Sequence, residues 1–106
     1  MIAKTPRPPY YAVIFSSVRT DIDDKEYAEL AEKMEALVKQ QDGFLGVESA
    51  RNELGLTISY WRDLESIRNW KIHADHVFAQ RLGKERWYKS YKTRIALVDR
   101  DYGFEK

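Results

Sequence analysis

The chain of 106 residues contains no cysteine, and its three prolines all lie within the first nine positions. The absence of cysteine excludes disulfide bonds, a thiol nucleophile and cysteine-based zinc or iron–sulfur sites. The longest unbroken apolar run is Tyr10–Phe15, far shorter than the roughly 18–20 residues of a membrane span. The opening segment also lacks the apolar core of a signal peptide. We therefore expect a cytoplasmic protein with no membrane partner.

An excess of charge of one sign is missing as well. The chain has 18 Lys and Arg against 17 Asp and Glu, a net charge of +1. Nucleic-acid-binding domains attract phosphates with a basic surface, so no nucleic-acid partner is expected. Aromatic residues, in contrast, are plentiful, with 3 Trp, 7 Tyr and 4 Phe. A small core does not need so many polar-tipped rings, whereas a cavity for a small hydrophobic or aromatic ligand would use them.

Hydrophobic periodicity predicts one domain over residues 10–106, preceded by an extended, proline-rich arm over residues 1–9. Asp23 or Asp24 is the predicted N-cap of the first helix, and Asp63 of the second. We expect Trp87, Tyr88 and Tyr91 in the connection that follows the second helix. The predicted elements are strand Tyr10–Arg19, helix Lys25–Gln41, strands Phe44–Arg51 and Leu56–Trp61, a helix from Leu64 to Gly83, and strand Thr93–Arg100.

The order β-α-β-β-α-β predicts an α+β, ferredoxin-like fold. Its sheet has four antiparallel strands, and both helices cover one face. Strands one, three and four nevertheless carry apolar or aromatic residues on both of their faces. A second copy packed sheet to sheet would cover the remaining face, so we expect a homodimer.

The chain resembles the antibiotic biosynthesis monooxygenase superfamily, the dimeric α+β barrel group, over roughly residues 10–102. This resemblance implies a ferredoxin-like protomer, a dimer and a pocket between each sheet and its own helices. The residues that carry it are Gly43–Ser49, Ile58–Trp61 followed by Asp63, Glu65 and Trp70, the segment His73–Gln80, and Val98–Arg100 with Tyr102.

The superfamily holds several activities, among them cofactor-free oxidation of aromatic polyketides or quinols, and haem degradation. The haem-degrading branch pairs a first-strand asparagine with a tryptophan on the second helix and a histidine about three turns further on. Trp70 matches that tryptophan, but Ser17 stands near the asparagine position and Gln80 at the histidine position. These departures disfavour haem, so no cofactor is expected.

His73 and His76 are the only histidines, and their spacing places them on roughly one side of a helix. An imidazole changes charge near neutral pH, so either one is a candidate general base in cofactor-free oxygenation. The alternative is a structural role, at a helix irregularity or on the surface. No metal site is predicted, because Asp75 lies on the wrong side and no third ligand has suitable spacing. Trp70 is the third catalytic candidate, as a pocket wall that stacks on a planar ligand. Core packing is its alternative role.

The remaining candidates would bind substrate. Tyr60 and Ser17 would supply polar groups from strands, and Arg51 or Arg94 would hold a substrate oxygen anion. Without substrate, these arginines are expected to pair with Glu48 or Asp99. Trp87 and Tyr91 would cover the cleft mouth or, alternatively, seal the second helix against the sheet. Gln80 is a further candidate for substrate binding.

Three functional hypotheses follow. The first is a cofactor-independent monooxygenase acting on a planar aromatic or quinol-type small molecule. The second is a non-catalytic module that binds a small ligand or acts through dimerisation. The third is a haem-degrading monooxygenase.

Overall fold

The computed structural model describes residues 1–22, 25–80 and 84–106 and, of residues 79, 80 and 84, only the backbone. The β-α-β-β-α-β order is confirmed. The elements are β1 (Tyr10–Arg19), α1 (Lys25–Val38), β2 (Phe44–Arg51), β3 (Gly55–Trp61), α2 (Leu64–Gln80), a 3₁₀ turn (Lys84–Arg86) and β4 (Tyr88–Val98).

The sheet is antiparallel throughout, with strand order β2-β3-β1-β4, as in ferredoxin-like folds. Side chains directly opposite each other on paired strands share a face, and the faces alternate along each strand. Tyr11, Val13 and Phe15 therefore point to one side of β1, while Ala12 and Ile14 point to the other.

Both helices cover the same side of this sheet. Val38 of α1 and Ile67 of α2 pack around the fully buried Trp61, together with Tyr11 and Val13. We call this the helix-facing side and the opposite side the outer face. A second core cluster joins α1, α2 and the start of β4. It consists of the buried Leu30, Val77 and Trp87 and the partly buried Tyr27, Met34, Leu37, Phe78 and Tyr88.

The predicted bounds of three elements were wrong. β3 begins at Gly55 rather than Leu56. α1 ends at Val38 rather than Gln41, because Gln40 and Gln41 donate backbone hydrogen bonds to the carbonyls three residues before them and tighten the last turn. β4 spans Tyr88–Val98 rather than Thr93–Arg100. It pairs with the whole length of β1, from Arg19 back to Tyr10, the residue that follows Pro9.

The turn into α2 is organised by polar groups. The Asp63 carboxylate accepts the backbone N–H of Ser66 at 2.8 Å, as an N-cap does. Its hydrogen bonds with Ser66, and then with Arg62, hold the pKa of Asp63 at about 2. The predicted cap at Asp23 or Asp24, and the predicted helix end at Leu82 and Gly83, lie outside the described residues. No helix within the described ranges is long and apolar enough to cross a membrane.

Gly43 provides a test of this packing. Its φ is +85°, and a Cβ atom there would collide with the Ser66 side chain. We expect Gly43→Ala to lower the free energy of unfolding by about 1–3 kcal/mol, through backbone strain and displacement of the α2 terminus.

The measurement is urea unfolding followed by circular dichroism. Gly103→Ala is the matched control, because no atom lies within 4 Å of a Cβ built at Gly103. Equal midpoints for the two variants would contradict the assignment of strain to Gly43.

Candidate functional site

Three rings form a stack that leads from the core to the surface of α2. The ring centroids of Trp61 and Trp70 lie 6.3 Å apart, and those of Trp70 and His73 lie 5.9 Å apart, each pair tilted by 27°. Trp61 is fully buried, and its indole N–H donates to the Ser59 hydroxyl at 2.8 Å. His73 is exposed. The His73 imidazole is therefore exposed to solvent and is supported from below by two indole rings.

Part of the helix-facing side remains uncovered beside this stack. Phe15 is paired with Thr57 on one neighbouring strand and Thr93 on the other, and both threonines are exposed. Ile95 and Leu97, the β4 partners of Val13 and Tyr11, are each 54% exposed. The two helices leave this strip of the sheet open. We call it the open floor: Phe15, Thr57, Thr93, Ile95 and Leu97.

The end of the helix-facing side away from the Trp61–Trp70–His73 stack is polar, and we call it the polar end. Arg51, Gly55 and Ser17 lie side by side across β2, β3 and β1. The Arg51 guanidinium donates from Nη2 to the buried Ser17 hydroxyl at 2.5 Å. It lies across Gly55, where a Cβ atom would collide with it. Gly55 thus provides the space that lets Arg51 reach Ser17.

An aromatic cluster closes this polar end on the side of β4. Phe15 contacts Tyr88 and Tyr91 at centroid distances of 5.6 and 5.5 Å. The hydroxyls of Tyr27 and Tyr88 lie 3.2 Å apart. Burial, and then the Tyr27 hydrogen bond, raise the pKa of Tyr88. Tyr91 is 46% exposed, so its ring forms part of the accessible surface.

The structure divides the predicted site residues among different places. Trp70 and His73 lie together at one end of the helix-facing side, and Ser17, Arg51 and Tyr91 lie at the other. Trp87 is fully buried in the core with Leu30 and Val77. The prediction that Trp87 and Tyr91 both lie in the connection after α2 was wrong for Tyr91, which belongs to β4 together with Tyr88.

The other candidates do not join either end. His76 is exposed on α2, one turn beyond His73, and the Gln80 side chain lies outside the described residues. Tyr60 and Arg94 lie on the outer face, opposite Ala12 and Ile14 of β1. They are therefore separated from Trp70 by the sheet itself.

The expected arginine ion pairs were also wrong. Arg51 bonds to Ser17, and Arg94 forms no ion pair with any residue that the structure describes. Glu48 instead accepts the Tyr60 hydroxyl at 2.7 Å and the Ala3 backbone N–H at 2.8 Å. Burial, and then the Glu48 hydrogen bond, raise the pKa of Tyr60 to about 12. This cluster anchors the N-terminal arm on the outer face.

Several residues of the site were not anticipated from the sequence. Thr57, Thr93 and Phe15 form the open floor, and Arg19 lies 3.4 Å above the Tyr27 ring. Strand alternation together with the register would have placed the two threonines beside Phe15. Arg19 has no comparable signal, because its position depends on how α1 packs.

Metal and haem ligation find little support in the donor set. Across residues 1–22, 25–80 and 84–106, no three His, Cys, Asp or Glu side chains form a group that could hold a metal ion. At the position where haem-degrading relatives would carry asparagine, Ser17 is buried and accepts the Arg51 hydrogen bond. Ser17 therefore does not offer the amide group that asparagine would supply at this position.

Comparisons with known proteins agree with this architecture. Residues 9–82 match the family model described as antibiotic biosynthesis monooxygenase. The uncharacterized protein YqjZ of Bacillus subtilis is 48% identical over 107 residues, covering 99% of this chain and 93% of that protein. The jasmonate monooxygenase of Pyricularia oryzae is 27% identical over 92 residues, which cover 83% of this chain but only 43% of the fungal protein.

Solved structures with low sequence identity share the fold. PA3566 from Pseudomonas aeruginosa superposes with a TM-score of 0.67 at 15% identity, covering 92% of this chain and 99% of that one. SnoaB from Streptomyces nogalater, described as a cofactor-independent oxygenase, gives a TM-score of 0.61 at 10% identity, with 93% and 100% coverage.

The anchoring of the arm can be tested through Glu48. Glu48→Ala removes the acceptor of the Ala3 N–H, and a hydrogen bond to a charged group contributes about 1.5 kcal/mol or more. We expect trypsin to cleave after the exposed Lys4 about tenfold faster in this variant. The readout is mass spectrometry over a digestion time course.

Glu53→Ala serves as the control, because Glu53 is an exposed carboxylate with no hydrogen bond or ion pair to any described residue. If Glu48→Ala and the wild type were cleaved at the same rate, the arm would not depend on this contact.

Proposed function

We propose that this chain, which belongs to the antibiotic biosynthesis monooxygenase family, oxygenates a planar aromatic or quinol-type small molecule without a bound cofactor. The reaction would take place between the exposed imidazole of His73 and the open floor. The observation that supports this proposal is the stack of Trp61, Trp70 and His73, which holds a potential base on the same side of the sheet as the open floor.

The two histidine candidates are not equivalent in this proposal. His73 stacks on Trp70, which fixes the position of its ring relative to the sheet. His76 lies one turn further along α2 and has no ring contact with Trp70. A general base must be held within hydrogen-bonding reach of the proton that it removes. We therefore assign the base to His73.

The chemistry needs only a base, a planar substrate and oxygen. His73 removes a proton from a C–H or O–H group activated by the adjoining rings, which leaves an electron-rich anion. The anion transfers an electron to O₂, and the resulting radicals combine at carbon to give a peroxide. Loss of water from the peroxide leaves a carbonyl group. For an activated methylene the balance is R₂CH₂ + O₂ → R₂C=O + H₂O, and the base is regenerated.

The open floor suits such a substrate. Phe15 and Ile95 offer apolar surface for a flat ring system, and the Thr57 and Thr93 hydroxyls on either side of Phe15 can bond to its oxygens. Two related proteins add support. The fungal relative is named as a jasmonate monooxygenase, and SnoaB is described as a cofactor-independent oxygenase.

We also propose that two copies pack through their outer faces. Ile14 and Ile58 are paired at the centre of this face, with Ala12 and Leu56 as neighbours. Leu56 is 37% exposed. The row of Ile14 and Ile58 ends in Glu48 on β2 and Arg94 on β4. A two-fold axis that runs parallel to the strands, between the packed faces, and crosses this row at its centre would bring the Arg94 of each copy towards the Glu48 of the other.

Oxygen uptake tests the catalytic proposal. With anthrones and hydroquinones as substrates, His73→Ala should lower the protein-dependent rate by about 100-fold or more, because it removes the general base. His76→Ala should retain most of that rate. An oxygen electrode gives the rates, and product masses confirm insertion of one oxygen atom.

A rate in the wild type no higher than in the His73→Ala/His76→Ala double variant would contradict catalysis by these histidines. Saturable binding of the same compounds without turnover would instead favour the ligand-binding module.

Light scattering tests the assembly. The wild type should have twice the mass of the 12.5 kDa chain. Ile14→Asp should give the single-chain mass, because it places a charge at the centre of the packed faces. Ile72→Asp, at a 66% exposed position on α2, should leave the assembly intact. A single-chain mass for the wild type would contradict the proposal.

A further inference from the structure

Two arginines at the polar end of the helix-facing side have no acidic partner. Within the described part of the chain, Arg51 donates only to the Ser17 hydroxyl. Arg19 donates to the backbone carbonyls of Trp87 and Ile22, at 3.2 and 2.9 Å, and lies over the Tyr27 ring. Neither forms an ion pair with any described residue. Neutral acceptors thus fix both guanidinium groups in place, and no carboxylate of a described residue contacts either of them.

Both arginines border one groove. It lies where β1 ends and β2 turns into β3, and its volume is about 330 Å³. This is at the lower end of the size range of small-molecule sites. The residues around it are Val18, Arg19, Thr20, Arg51, Asn52 and Glu53.

The guanidinium of Arg51 is suited to bind an anion. A guanidinium has five N–H donors in a planar fork that matches the two oxygens of a carboxylate. With respect to the described residues, one hydrogen bond occupies the donors of Arg51, and its acceptor, Ser17, is 1% exposed. The buried hydroxyl therefore orients the fork while most of its donors stay available.

The accessible ring of Tyr91 lies at the β4 end of the row that holds this fork, next to the open floor. Tyr91 is the β4 partner of Ser17, which in turn pairs with Gly55 beneath the Arg51 side chain. Its ring contacts Phe15, the central residue of the open floor. Thr57 and Phe15 of the floor lie two residues from Gly55 and Ser17 on the same face. A flat molecule on the floor can therefore place a substituent at Arg51.

From these observations we propose that Arg51, with Arg19 beside it, binds the carboxylate of the substrate. The preferred substrates would be planar aromatic acids rather than their neutral analogues. This inference rests on the proposed function, because it uses the open floor as the site of the ring system. Arg51 acts as a specificity-determining residue at the end away from His73.

Glu53 would oppose this selection. It is the one acidic residue among those that line the groove, and it has no partner among the described residues. Its negative charge would repel an incoming carboxylate. Glu53 would therefore moderate the affinity for acids, and neutralising it should increase that affinity.

Calorimetric titration with anthraquinone-2-carboxylate and anthraquinone-2-carboxamide provides the test. These oxidised ring systems differ only in the charge of one substituent. The wild type should bind the acid about tenfold more tightly than the amide, as expected for a charge-assisted bidentate contact. Arg51→Met should remove this preference and leave amide binding nearly unchanged. Arg51→Lys should restore part of it, because the charge is kept but the fork is lost.

Two further variants locate the effect. Glu53→Gln should tighten binding of the acid about two- to threefold without affecting the amide. Arg68→Met is the control, because Arg68 is an exposed arginine of α2 that lies outside the groove and the outer face, and it should keep the wild-type ratio. Thermal melting of each variant checks that the fold is retained.

Equal affinities of the wild type for acid and amide would overturn the proposal, as would a preference that survives in Arg51→Met. The proposal would also be overturned if the wild type bound neither compound. Oxygen uptake with a neutral anthrone separates this result from the proposed function. Normal uptake without an acid preference refutes only the carboxylate site. An Arg51-dependent acid preference without uptake refutes only the oxygenation.

Discussion

The pairing of β1 with β3 on one side and β4 on the other is the constraint on which the rest of the structure depends. This register assigns every strand residue to the helix-facing side or the outer face. Trp61 joins the aromatic stack, while its neighbour Tyr60 binds Glu48 beneath the arm. A shift of β3 by one residue would exchange these two rings. A shift of β1 by one residue would instead bring the Ser17 hydroxyl to the outer face, away from Arg51.

The same register explains why Glu48 and Arg94 do not form an ion pair within one chain. Both lie on the outer face in the row that contains Ile58 and Ile14. Three strand spacings separate them, which amounts to roughly 14 Å. Their charges therefore remain at opposite edges of an apolar row. In the proposed assembly, this arrangement makes the outer face complementary to itself.

Local sequence patterns were sufficient for the order of the elements and for part of the site. The bounds of β1 follow from its β-branched and aromatic composition, and the contact of Trp70 with His73 follows from helical spacing. The bond between Arg51 and Ser17 joins residues 34 positions apart. It depends on the register and on the space above Gly55, which composition does not reveal. The start of β4 was missed because its first residues include Lys89, Ser90 and Lys92, and pairing with β1 overrides their weak strand propensity.

The geometry of α2 restricts the shape of a substrate that could use both ends of the helix-facing side. Trp70 packs beside Trp61, whereas Phe78 contacts Tyr88, near the polar end. His73 precedes Phe78 by five residues, or ~7.5 Å along the helix axis. Trp61 and Gly55 are six residues apart on β3, roughly 20 Å along the strand. A compact single ring would reach either the imidazole or the guanidinium. Only an elongated, flat molecule would contact both, so recognition at Arg51 would also set the ring position presented to His73.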